Sequence, residues 1–250
     1  MDKIILKLTD VDYYYPLQGL ETFHALKKIS LWVEEGEILG LVGESGSGKS
    51  TLAKVMLGIS GKIRGEIRYK GINIHGRSWR RMKVKPIQMV LQDSKSSLNP
   101  KMTLFQSMEE PLVLSGMKEK DEREKRVREI CHQVGLDLST AGKFPGACSG
   151  GQRQRASIGR ALVLSPELLI LDEAVSSLDV SIQGQIVNLL KDISEKMNTT
   201  IVFISHNERL VDHFCTRILR MEKGRLLDKN QDMHPIHKKE KEPLSSSKSI

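Results

Sequence analysis

The stretch Gly43-Glu44-Ser45-Gly46-Ser47-Gly48-Lys49-Ser50-Thr51 constrains this chain more than any other. It fits G-x-x-x-x-G-K-[ST], and its flanks suit that pattern. The apolar run Ile38-Leu39-Gly40-Leu41-Val42 reads as a buried strand, and Leu52 to Leu57 reads as the start of a helix. Glycines let such a loop curl so that backbone N–H groups point inward, where the helix N-terminus adds partial positive charge. The product is a cradle for phosphates. Within it, Gly43, Ser45, Gly46, Gly48, Lys49, Ser50 and Thr51 are the expected contacts. Lys49 reaches the β- and γ-phosphates, and the Ser50 hydroxyl ligates Mg²⁺.

A phosphate cradle needs acids to hold the metal and activate water. Leu168-Leu169-Ile170-Leu171-Asp172-Glu173 is an apolar strand ending in two. Asp172 is placed for the Mg²⁺ shell and Glu173 for polarising the attacking water.

Between the loop and the acids stands Cys148-Ser149-Gly150-Gly151-Gln152-Arg153-Gln154-Arg155, which resembles the LSGGQ signature of the ABC-transporter ATPases. Gln92 looks like that family's Q-loop, Ser177-Leu178-Asp179 like its D-loop, and His206 like its switch histidine. The motifs follow the family's order, and the resemblance spans about residues 4 to 230. It implies a P-loop NTPase (RecA-like) α/β core with an antiparallel β flap and an inserted α-helical subdomain, the insertion covering about 94–158. It also implies ATP and Mg²⁺ as cofactors. Tyr15, about thirty residues before the loop, then stacks on adenine, an interaction of ~1–3 kcal/mol. Gln92 senses the metal or the water, and His206 contacts the γ-phosphate. Ser149, Gly150, Gly151 and Gln152, with Asp179, serve the nucleotide of a partner domain, so that two domains sandwich two nucleotides head to tail.

Finer segments are similar to the oligopeptide/dipeptide/nickel class of importer ATPases: Ile87-Gln88-Met89-Val90, Ser97-Leu98-Asn99-Pro100 and Asp179-Val180-Ser181-Ile182-Gln183. Val175 to Asp179 resembles the second of that class's two paired ATPases. The resemblance implies two membrane permease subunits, a second related ATPase subunit and, indirectly, an extracytoplasmic substrate-binding protein. It places the chain peripherally at the cytoplasmic face of the cell membrane. Departures exist: Cys148 replaces leucine at a position that packs, Asp93-Ser94 replaces Asp-Pro, Ala174 replaces proline, and Asn207 stands where Asp is common. Competing classes fit less well. Repair-type ATPases separate the P-loop and second acid by long coiled coils, for which Lys49 and Asp172 leave no room. Translation-type ones fuse two ATPase domains, and a free-standing exporter ATPase is disfavoured by the importer-like segments.

The formal charge of +8 permits an acidic partner. Aromatics are few and no nucleic-acid motif appears, so no nucleic acid is expected. The three widely spaced cysteines contain no C-x-x-C, against a disulfide framework or zinc site. No apolar run approaches the ~18 residues of a membrane span, and the N-terminus carries no signal-peptide core.

Along the chain, residues 4 to 33 read as strands around a turn at Pro16 to Glu21, and Gly61 to Ile74 as a flap. Ser78 to Lys85 reads as a helix ended by Pro86. The charged stretch Lys118 to Glu129 reads as a solvated helix laced with i,i+4 pairs. Gln183 to Met197 carries one apolar helical face, Ile201 to Ile204 is a buried strand, and Met221 to Leu227 a short strand pair. Residues 1–230 make one ATPase domain. The polar stretch 231–250, with His234 and His237, reads as a disordered tail.

Overall fold

The computed structural model describes residues 3–17, 21–59, 61–92 and 97–227. Asp93-Ser94 and the tail at 231–250 lie outside them. The central sheet grows from three strands buried at every position and apolar but for Asp172 and Thr200 at their ends: β3 (Ile38–Val42), β7 (Leu168–Asp172) and β8 (Thr200–Ile204). Continuous burial is what a parallel strand covered on both faces requires. With β6 (Ile87–Val90), β9 (Arg217–Glu222) and β10 (Arg225–Leu226) they form a six-stranded sheet in the order β10-β9-β3-β8-β7-β6. All neighbours run parallel except the β9–β10 pair.

A second, antiparallel sheet has the order β2-β1-β4-β5, from β1 (Ile4–Pro16), β2 (Thr22–Glu34), β4 (Lys62–Tyr69) and β5 (Ile72–Asn73). This is the expected flap, enlarged by the two long N-terminal strands. The P-loop helix α1 (Lys49–Met56) packs between the sheets: Leu52, Ala53, Val55 and Met56 share a buried cluster with Leu8, Leu26, Leu39 and Leu41. A separate cluster covers the opposite face of the central sheet. There α3 (Leu104–Leu114), α4 (Lys120–Gln133), the short α5 (Leu138–Ala141) and α6 (Gly150–Leu162) join around Met108, Leu112, Ile130, Ala141 and Ile158, with α7 (Val180–Met197) contributing Ile186 and Leu190.

Three expectations need correction. The helix at Ser78 to Lys85 is only α2 (Arg77–Arg81), because Met82 is already extended at φ −64, ψ 121. The Lys85 ammonium donates to the Trp79 and Met82 carbonyls, satisfying helix-end acceptors from outside the helix. The last strand pair starts earlier, at Arg217, where Arg217 to Arg220 pair with Leu39 to Val42. Its arginines concealed it: Arg217, half-buried, donates to Glu37 at 2.6 Å. The charged helix α4 does carry outward pairs from Glu124 to Lys120 and Arg128. It is not merely solvated, however. Val127, Ile130 and Cys131 are buried, Arg123 bonds Glu109 at 2.8 Å, and Arg126 reaches Ser165 at 2.7 Å.

Candidate nucleotide site

The carboxyl ends of the parallel strands deliver the polar side chains, the edge at which open α/β sheets hold ligands. β3 runs into the loop Gly43–Gly48, and α1 leaves it. The loop can exist only with glycine at two places. Gly43 has φ +154, and a Cβ there would lie 2.2 Å from the Met221 carbonyl oxygen. Gly48 has φ +107 with the Ala25 carbonyl 3.3 Å from such a Cβ. The Gly224 N–H fixes the loop from the far side by donating to the Ser47 carbonyl at 2.9 Å.

Lys49 is 4% exposed and donates to the Gly43 and Glu44 carbonyls, both at 2.8 Å. Burial pulls its pKa down, and the carboxylates of Glu173 and Asp172 pull the other way. One residue on, the Ser50 hydroxyl donates to Asp172 Oδ1 at 3.0 Å. Burial raises the Asp172 pKa, and the Glu173 charge adds to the rise; the Ser50 bond and the lysines Lys49 and Lys54 only partly offset it. This pair of oxygen donors is of the type that a hard cation takes.

Glu173 follows the strand in a left-handed conformation, φ 48, with its N–H bonded to the Ile204 carbonyl at 3.0 Å. That twist turns its carboxylate across the sheet end. Gln92 Nε2 donates to Glu173 Oε2 at 3.1 Å, and His206 Nδ1 lies 3.3 Å from the same oxygen. Three residues from β6, β7 and β8 thus meet at one atom. Asn207 caps α8 (Glu208–Phe214) by accepting from the Leu210 N–H, and its own N–H donates to the Ser205 hydroxyl at 3.1 Å.

Tyr15 lies at the end of β1. Its hydroxyl is 3.2 Å from Thr51 Oγ1, and the Tyr13 ring meets it edge-on at 4.9 Å. The ring is thereby held beside the start of α1. Phe23, 57% exposed, is its cross-strand partner on β2. Sequence reasoning missed Phe23, since only the pairing register brings it beside Tyr15.

Ser149, Gly150, Gly151, Gln152 and Asp179 form a second group. Ser149 caps α6 in a capping box, accepting from the Gln152 N–H at 3.2 Å while the Gln152 side chain accepts the Ser149 N–H at 2.9 Å. Gly150 and Gly151 pack on Leu178 and Ile182, and exposed Asp179 starts α7. Among the described residues no hydrogen bond joins this group to the P-loop. Cys148 is buried, its thiol directed at the Phe144 carbonyl at 3.4 Å. Arg153, also missed, donates to the Cys148 and Pro145 carbonyls and so braces the turn before Ser149.

A family model described as ABC transporter matches residues 26–176. The oligopeptide transport ATP-binding protein AppF of Bacillus subtilis is 42% identical over 90% of this chain and 71% of its own length. The nickel import ATP-binding protein NikE of Escherichia coli O157:H7 is 37% identical over 90% of this chain and 86% of its own. Putative peptide import relatives from Brucella are matched over only 57% to 65% of their length. Among solved structures, an ATP-binding cassette in a dimeric post-hydrolysis state with ADP and Pi superposes with a TM-score of 0.78 at 29% identity. That match covers 89% of this chain and 97% of the other. Matched over this extent by the family model and by these relatives, the chain belongs to the ABC transporter family, among its ATP-binding subunits.

Proposed function

We propose that this chain binds and hydrolyses ATP to energise a multi-subunit importer of peptides or nickel. The observation that carries the reading is the convergence of Gln92 and His206 on Glu173, beside the Ser50–Asp172 pair at the mouth of the P-loop. Phosphoryl transfer asks little covalent chemistry of a protein, so positioning and neutralised charge do most of the catalysis. The loop N–H groups and Lys49 hold the β- and γ-phosphates, Lys49 exchanging its carbonyl partners for phosphate oxygens. Tyr15 stacks on the base. Glu173 orients and deprotonates the attacking water, Gln92 helps to position that water, and His206 steadies the γ-phosphate. The residues present fit Mg²⁺, which is commonly held by one or two carboxylates together with substrate phosphates and water. Ser50, Asp172 and Gln92 would hold it, and it would neutralise charge developing on the transferring phosphoryl group.

Ser149, Gly150, Gly151 and Gln152 stand apart from this chain's own P-loop. That separation supports a role in trans, in which they and Asp179 close over a nucleotide held by a second, related ATPase subunit. Two permease subunits span the membrane, and an extracytoplasmic binding protein delivers cargo to them. No helix among the described residues is long and apolar enough to cross a membrane, which suits a peripheral place at the cytoplasmic face. A cavity of about 270 Å³ where β6 meets α3 and α6, lined by Gln88, Leu91, Pro111, Ser157 and Arg160, is a suitable seat for a permease segment.

Uptake of labelled nickel and of a labelled dipeptide, compared between wild-type and Lys49→Ala cells that keep the partner ATPase subunit but lack other importers of either cargo, tests the reading. Loss of one uptake names the cargo. Retention of both removes peptides and nickel from it.

A further inference from the structure

The chain's charge of +8 is not spread over its surface. Residues 61 to 86 hold nine Lys and Arg against one acid, Glu66, while the remaining residues hold thirty of each sign. The whole net charge therefore sits on β4, β5, α2 and the segment leading into β6.

Five of the nine cations have internal partners. Arg68 pairs with Glu66, and Lys70 with Glu35 and Glu167. Lys62 and Arg64 stand over the Tyr14 ring at 5.9 and 5.7 Å, and Lys85 caps α2. Arg77, Arg80, Arg81 and Lys83 are exposed, and among the described residues none has an acidic partner.

The display is rigid. Trp79 is 3% exposed, packed against Tyr69 with ring centroids 5.6 Å apart, so α2 is pinned to the fold by its middle residue. The three- and four-residue spacings put Arg77, Arg80 and Arg81 on one side of that helix. Val84, an exposed aliphatic side chain, follows them. The root of the ridge is joined to the cavity described above, because Gln88, which lines it, donates from Nε2 to the Lys85 carbonyl at 2.9 Å. Ridge and cavity thus share the β6 edge of the central sheet. Trp79 being buried, the ridge offers no aromatic platform for unpaired bases.

We propose that Arg77, Arg80, Arg81 and Lys83 form a docking ridge for anionic lipid headgroups of the membrane that the permease spans. The choice of a membrane rests on the importer reading; the ridge itself rests on charge and exposure alone. Docking there sets the β6 edge against the bilayer before and during permease engagement. The attraction is Coulombic, short-ranged and screened by salt.

The test is co-sedimentation of the full chain with vesicles of phosphatidylcholine alone or with about 30% phosphatidylglycerol, at ~0.05 and ~0.5 M salt. Binding is expected only to the anionic vesicles and only at low salt. The variant Arg77→Gln/Arg80→Gln/Arg81→Gln/Lys83→Gln should lose more than about a hundredfold in partition, each cation near such a surface being worth roughly fivefold. A control with equal charge removed from α4 and the turn leading into it, Lys118→Gln/Lys120→Gln/Lys125→Gln/Arg128→Gln, should retain binding. ATP binding by both variants reports that they fold. Equal binding to neutral vesicles, equal losses in both variants, or unchanged binding by the ridge variant overturns the proposal. Tighter, ridge-dependent binding to duplex DNA at matched phosphate overturns the choice of partner. Vesicle binding that persists when the uptake experiment fails leaves the ridge standing and sinks the importer reading instead.

Discussion

Replacing Glu173 by Gln changes one oxygen of the carboxylate to an amide and leaves nearly everything else in place. The left-handed φ of 48 is set by the backbone, through the N–H to Ile204 and the carbonyl that accepts from the Ser176 N–H and hydroxyl, so the side chain should keep its direction. Gln92 can still donate to the remaining amide oxygen across the same 3.1 Å gap. What disappears is the capacity to take a proton from water. A positioned general base is worth about 10²–10⁴-fold in rate, so kcat should fall by that factor, equivalent to ~3–5 kcal/mol of barrier. ATP contacts the P-loop rather than this oxygen, and its affinity should stay within about threefold of wild type, the pattern of an interaction made only in the transition state. Single-turnover hydrolysis in the assembled complex, with ATP affinity and melting temperature measured alongside, separates the cases. Hydrolysis within tenfold of wild type would refute the assignment of Glu173 as base. A fall accompanied by loss of ATP binding and a lowered melting temperature would instead mark Glu173 as structural.

Asp172 offers a prediction with the opposite sign for stability. Its folded pKa is raised, mainly by burial, so the proton-bound form is favoured by folding and the charged form costs stability as pH rises through the folded value. With metal chelated, Asp172→Asn should therefore melt higher than wild type at pH 7, each gained kcal/mol appearing as about 2–4 °C. The advantage should vanish below about pH 4, where Asp172 is protonated in both states. A variant no more stable at pH 7 contradicts this, and binding of Mg-ATP should weaken in either case. For the base, Tyr15→Ala and Phe23→Ala should each lower ATP affinity, the first by about 5–100-fold, while leaving inorganic tripolyphosphate binding unchanged. Parallel losses for both ligands would mean that the rings merely support the fold.

The P-loop and the two acids were readable because their requirements are local. Glycines mark left-handed turns, a five-residue apolar run marks a strand buried on both sides, and polar residues at its end mark the sheet's carboxyl edge. Other features depend on partners distant in the chain. Nothing local distinguishes Arg81 from Met82 as a helix end, since Lys85 closes the helix from beyond it. The arginines of β9 look like surface until Glu37, 180 positions earlier, is known to lie against Arg217. Phe23 becomes a candidate only when the β1–β2 register, which contains several irregularities, sets it opposite Tyr15. The left-handed twist at Glu173 carries no sequence mark either, because glutamate is a poor occupant of that conformation.

The central sheet also acts as a bulkhead. Along β3, β7 and β8, alternate residues enter two different buried clusters: Val42, Leu171 and Phe203 on the helical side, and Leu41, Ile170 and Ile204 on the side of α1 and the flap. The compartments share no side chain, so truncations made one on each side, such as Leu112→Ala with Leu52→Ala, should add in their effects on stability. Repacking one hold therefore leaves the other undisturbed, and a permease-facing surface can drift in sequence without loosening the grip on phosphate. It also narrows how the two sides communicate. Where the core transmits nothing, the open route is around the rim, at the strand ends where Gln92 meets Glu173.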